Sequence, residues 1–166
     1  MDIMNVRYLT KASLIAAIYL VLILIQALPF PVANLTFGPV QLRIAEGLTL
    51  LPLVESAAVP GLFVGVLLAN FLLAPYSGFG LVDIIGGALV TVVAAYLTSK
   101  AKNKYIGMIP PVLLNGLIVS IWVSYFTKIP YIYTAIGIAA GELVSVALFG
   151  SIILYVHKKA SKYREW

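Results

Sequence analysis

The placement of its few charges constrains this chain more than any other feature. Only 10% of the residues are charged, and nine of the eleven Lys and Arg side chains fall in three clusters. These are Arg7 and Lys11; Lys100, Lys102 and Lys104; and Lys158, Lys159, Lys162 and Arg164. Long apolar runs separate them. Cytoplasmic loops of membrane proteins collect Lys and Arg, so the pattern predicts a multi-pass protein of the cell (plasma) membrane with both termini cytoplasmic.

The bulk numbers agree. A mean hydropathy of +1.05 leaves too little polar surface to cover a soluble domain of this size. The net charge of +5 does not point to nucleic acid, because the basic residues flank apolar segments and do not form a stripe among polar recognition residues. The chain has no cysteine, hence neither a disulfide framework nor a Cys metal site. His157 sits among the C-terminal lysines and reads as a headgroup-level residue. The first apolar run resembles a signal peptide, but it spans about 20 residues and Ala27 to Pro31 lacks a small-residue cleavage pattern. It reads as a retained first helix.

A spanning helix needs about 20 apolar residues. The sequence predicts one domain over 1–166, an all-α integral membrane protein with a single bundle of six transmembrane helices at approximately 9–28, 40–54, 57–74, 79–99, 105–127 and 133–156. The second is short: its apolar part, Ile44 to Val54, is closed by Pro52 and covers only about half of the hydrocarbon core as an α-helix. Six crossings place all three basic clusters on one side, whereas omitting the second would put the termini on opposite faces.

Ionisable groups within hydrocarbon cost about 2.5–3.5 kcal/mol each on insertion scales, so each calls for a reason. With this topology Arg43, Glu46, Asn70, Asp83 and Trp122 fall in the outer half, and Asn115 and Glu142 near the midplane. Each has a structural alternative. Arg43 and Glu46 can pair at i,i+3, Asp83 can cap the fourth helix, and Asn70 and Asn115 can join helices. Glu142, in the apolar and small-residue run Ile136 to Val146, has no basic residue one turn away, and a ligand or proton-linked role is expected for it. Asn115, Val119, Trp122 and Phe126 share a helix face, with Tyr125 adjacent. These aromatics suit a planar ligand, or an interfacial belt, the expectation for Tyr131 and Tyr133. Ala12/Ala16, Gly61/Gly65 and Gly137/Gly141 have small-x-x-x-small spacing, which permits close helix packing.

The stretch Phe37-Gly-Pro-Val-Gln-Leu-Arg-Ile-Ala-Glu-Gly-Leu-Thr-Leu-Leu-Pro52 resembles the signature of the QueT family, with Gly47 where Ala is expected in many relatives. The resemblance extends over nearly the whole chain. It implies a substrate-binding S component of an energy-coupling factor (ECF) transporter, an ABC importer for queuosine precursors. The implied ligand is a 7-deazaguanine such as 7-aminomethyl-7-deazaguanine, or queuine, taken from outside. The implied partners are a transmembrane coupling protein and two ATPase subunits, with Ala12 and Ala16 forming the docking face. Ligand contacts are expected at Arg43, Glu46, Asn70, Asp83, Asn115, Trp122, Tyr125 and Glu142. No Gly-x-x-x-x-Gly-Lys-Ser/Thr motif occurs, so ATP hydrolysis is expected in the partners and no cofactor or metal in this chain. An S component for another vitamin-like ligand is the main alternative. An intramembrane enzyme, for which no Ser–His pair lies at plausible depth, or a structural subunit stands behind it.

Overall fold

The computed structural model describes residues 6–27, 36 and 38–162. Pro29 and Pro31, expected to end the first helix, lie outside that range, as do Phe37 and Arg164. Among the described residues all regular structure is helical. Six helices follow in order: α1 (Val6–Ala27), α2 (Ile44–Leu53), α3 (Ala58–Ser77), α4 (Val82–Ser99), α5 (Lys104–Thr127) and α6 (Tyr131–Ala160). All except α2 are long and apolar enough to cross a membrane.

The ends of these helices follow local chemistry. Asn103 starts α5 by accepting hydrogen bonds from the Tyr105 and Ile106 N–H groups, both at 3.0 Å, as an N-cap should. α3 continues past Pro75, where the sequence suggested a stop. It closes instead at Gly78, whose φ of 71° suits a residue without Cβ and whose N–H bonds the Ala74 carbonyl.

The short second helix is wound as a 3₁₀-helix of 10 residues. At about 2.0 Å rise per residue it reaches about 20 Å, where an α-helix of the same length reaches about 15 Å. Eight of its residues are buried, Ala45 through Pro52, so neighbouring helices screen this thin segment from lipid. Gly47 lets it touch α6: a Cβ there would stand 2.6 Å from Phe149 Cβ and 2.8 Å from the Phe149 carbonyl carbon.

That α2 returns the chain across the bundle follows from its neighbours. Gly61 of α3 packs on Ala12 and Ile15 of α1, and Gly65 packs on Ala16 and Tyr19. The matched register means α1 and α3 run parallel, which requires a return crossing between them. At one end Lys11 Nζ meets Glu55 Oε2 at 2.5 Å, joining the start of α1 to the turn before α3. On the same face a groove of about 520 Å³ is lined by Leu53 at the end of α2, Lys102 and Lys104 of the α4–α5 loop, and His157 and Lys158 of α6. The three basic regions therefore share one face of the fold, here termed the basic face.

The same packing places the Ala12/Ala16 pair. Ala16 is 5% exposed and lies against Gly65, because the close α1–α3 approach uses its surface inside the chain. Its surface faces α3. Ala12, half-buried, presents its carbonyl to Gly61.

The Gly137/Gly141 spacing also has a different use from helix-on-helix packing. Residues 39–43 cross α6 without helical structure of their own, and their backbone rests in a groove of small residues. A Cβ on Gly137 would collide with the Pro39 carbonyl, and one on Gly141 with the Gln41 backbone. One turn further, Ser145 Oγ accepts the Arg43 N–H at 3.0 Å. Two extended residues advance about 6.6 Å and four helical residues about 6 Å, so the two registers keep pace.

Two outcomes follow. Gly141→Val would drive a side chain into the Gln41 backbone and cost about 1–3 kcal/mol, read as a lower unfolding temperature in detergent. Glu55 gives a pH dependence. Partial burial works against its ionisation, but the Lys11 hydrogen bond, the Ala57 N–H and the charges of Lys11 and His157 outweigh this and hold the carboxyl below its ordinary value. A depressed folded-state value stabilises fully above the unfolded carboxylate range, and that stability is lost as pH falls through the folded value. Glu55→Gln should therefore flatten the acid limb of a stability-against-pH profile.

Candidate functional site

In the half of the bundle away from the basic face, polar side chains from every helix except α1's first half converge. Because residues 39–43 are seated on α6, Arg43 and Glu46 enter the interior at the top of α2. Glu46 is 3% exposed. Its Oε1 accepts from the Tyr19 hydroxyl at 2.6 Å and lies 3.6 Å from an Arg43 guanidinium nitrogen. Arg43 Nε also donates to the Thr36 carbonyl at 2.9 Å. The Arg43–Glu46 pairing foreseen from the spacing is present, but it occupies only one of the two carboxylate oxygens.

Glu142 of α6, also 3% exposed, accepts from Asn115 Nδ2 at 3.1 Å. It lies within electrostatic range of both Glu46 and Arg43. On the other flank, Asp83 Oδ1 accepts from Trp122 Nε1 at 3.0 Å and the Asp83 backbone carbonyl from Asn70 Nδ2 at 2.8 Å. Asp83 makes no capping bond to the helix start. Like Glu46 and Glu142, it lies within electrostatic range of Arg43, and of the three acids Glu46 is the one paired with the guanidinium.

Three segments of the long helices are wound as π-helix: Val82–Gly87, Asn115–Val119 and Val146–Gly150. Such single turns recur at functional sites because widening frees carbonyls and re-aims side chains. Here the first carries Asp83 and the second Asn115, while the third follows Ser145. The Asp83 carbonyl goes to Asn70, and the Leu117 carbonyl to the Tyr131 hydroxyl at 2.9 Å. Gly87 leaves room for this, since a Cβ there would stand 2.7 Å from Asn70 Nδ2.

Seven of the expected ligand residues thus stand in one connected region: Arg43, Glu46, Asn70, Asp83, Asn115, Trp122 and Glu142. Tyr125 does not join them. It is 67% exposed, faces outward on α5, stacks edge-on against Phe126 and carries Lys128 Nζ over its ring at 4.5 Å. One residue before Phe126, it is turned about 100° around the axis from that side chain, off the buried stripe. Tyr133, at 69% exposed, stands on the outer surface.

Sequence reasoning passed over Tyr19, Gln26, Gln41 and Ser145. Gln26 accepts the Ile44 N–H at 2.9 Å and donates to the Leu42 carbonyl, closing the backbone on either side of Arg43. A signal was available: Ile15, Tyr19, Ile23 and Gln26 recur at one-turn spacing, and an amide in an apolar span merits the reading given to Asn70.

The fold and this region define a multi-pass membrane protein whose interior holds a cluster of acids and amides. The sequence profile described as "QueT transporter" matches residues 9–159. The chain belongs to the QueT transporter family and is a membrane transport protein. No curated protein and no solved structure matches it.

Replacing Tyr19 by Phe removes the hydroxyl donor from a buried carboxylate. A loss of about 1–3 kcal/mol in stability is expected, measurable by thermal unfolding of the purified protein.

Proposed function

We propose that this chain is the S component of an ECF-type importer and binds a queuosine precursor, a 7-deazaguanine such as 7-aminomethyl-7-deazaguanine, or queuine. The basic face is cytoplasmic by the positive-inside tendency, with both termini there. The acid and amide cluster then lies toward the outside, where the solute arrives. A transmembrane coupling protein and two ATPase subunits supply the energy.

The observation that carries this reading is the excess of buried acid: Glu46, Asp83 and Glu142 are all buried and lie within electrostatic range of one guanidinium. Ionisable groups are costly in a membrane interior, and a solute with hydrogen-bond donors and a cation offsets that cost. A guanine-like ring offers an N–H and an amino group to a carboxylate and a carbonyl to an amide. An aminomethyl group adds a positive charge. Asn70 and Asn115 supply amides, and the Trp122 indole an apolar wall for a flat ring. For coupling, the outward small residues on the first half of α1 are Ser13 and Ala17, one position round from the spacing first considered.

Mass spectrometry of small molecules retained by the purified protein tests the reading. A 7-deazaguanine is expected, together with a raised unfolding temperature on adding 7-aminomethyl-7-deazaguanine and loss of that shift in Glu142→Ala. Retention of an unrelated vitamin, or unchanged binding by Glu142→Ala, would overturn it.

A further inference from the structure

Among the described residues, two buried side-chain atoms make no hydrogen bond within the protein: Gln41 Nε2 and Glu46 Oε2. Their residues are 4% and 3% exposed. A donor or acceptor hidden from water without a partner is costly, and native structures rarely keep one without a use. One is a donor and the other an acceptor, and both come from the same segment, five residues apart.

The backbone of that segment is otherwise held in place. The Gln41 backbone is lodged against Gly141, the Leu42 carbonyl and Ile44 N–H are held by Gln26, and the Arg43 N–H by Ser145. Glu46 is oriented through Oε1 alone, by Tyr19 and Arg43. The protein thus fixes the carriers of these atoms while leaving the atoms unused, the arrangement of a preorganised binding edge.

We infer that Gln41 Nε2 and Glu46 Oε2 read the lactam edge of the solute, the ring carbonyl accepting from Gln41 and the ring N–H donating to Glu46. This rests on the 7-deazaguanine reading above and divides labour among its acids. Glu46 already faces Arg43 and the Tyr19 hydroxyl, which suits it to a neutral edge. Glu142, whose hydrogen bond comes from the neutral Asn115 amide, is left to face the aminomethyl cation.

Calorimetric titration of the purified protein tests the assignment with two probes that share the aminomethyl group and differ at the edge. These are 7-aminomethyl-7-deazaguanine and 7-aminomethyl-7-deazaadenine, in which donor and acceptor are exchanged. A site built around the edge should favour the guanine form by about 100-fold or more. Gln41→Leu should weaken the guanine form by about tenfold or more, leave the adenine form nearly unchanged, and so narrow the preference. Glu142→Gln should weaken 7-aminomethyl-7-deazaguanine far more than 7-deazaguanine without the amine. Equal wild-type binding of the two aminomethyl probes overturns the assignment, as does a common loss for both in Gln41→Leu and Glu46→Gln, the mark of a merely structural role. If Gln41→Leu does not fold, the wild-type preference alone decides. Binding of neither probe overturns the 7-deazaguanine reading itself, whereas tight binding without edge preference overturns only the roles given to Gln41 and Glu46.

Discussion

The polar interior depends on one piece of backbone packing, the seating of residues 39–43 in the groove of small residues on α6. A non-helical stretch at membrane depth is tolerated only where protein satisfies its N–H and C=O groups. Here Ser145 takes the Arg43 N–H, and a single amide, Gln26, serves both sides of that residue. Without side chains at Gly137 and Gly141 the segment lies close enough for those bonds to form. Its position in turn fixes where α2 begins, and thus where Arg43 and Glu46 enter the bundle. Tyr19 then reaches Glu46 from α1, and Glu142 lies near both charges from α6.

Much of the architecture was legible in the sequence because hydrocarbon imposes simple rules. Apolar length, proline and glycine breaks, and basic clusters located six helices, and the parity argument for the short one agrees with the parallel register of α1 and α3. What composition does not carry is helix winding. The 3₁₀ form of α2 goes with tertiary enclosure, and the π turns in α4 and α5 go with interhelical bonds, from Asn70 to the Asp83 carbonyl and from Tyr131 to the Leu117 carbonyl.

The candidate site was legible to the extent that charges in an apolar run announce themselves. Glu46, Asp83 and Glu142 stand out this way, whereas Tyr125 stands apart from them because adjacency along a helix is not adjacency in space. Tyr19 was hidden by its resemblance to the apolar residues around it, and Ala16 by the ambiguity of small-residue spacing, which serves internal and external contacts alike. Gly47 was visible as a difference from expectation, and its reason emerges only against Phe149.

The winding of α2 has a geometric result for the interior. With three residues per turn, side chains three apart stack one above another, so Glu46, Thr49 and Pro52 form a straight file where an α-helix would make them spiral. All three are buried, and the Thr49 hydroxyl is turned onto the Glu46 carbonyl at 2.6 Å. Along one edge of one helix the side chains therefore change from carboxyl to hydroxyl to bare ring, a polarity gradient that runs down the helix toward the basic face.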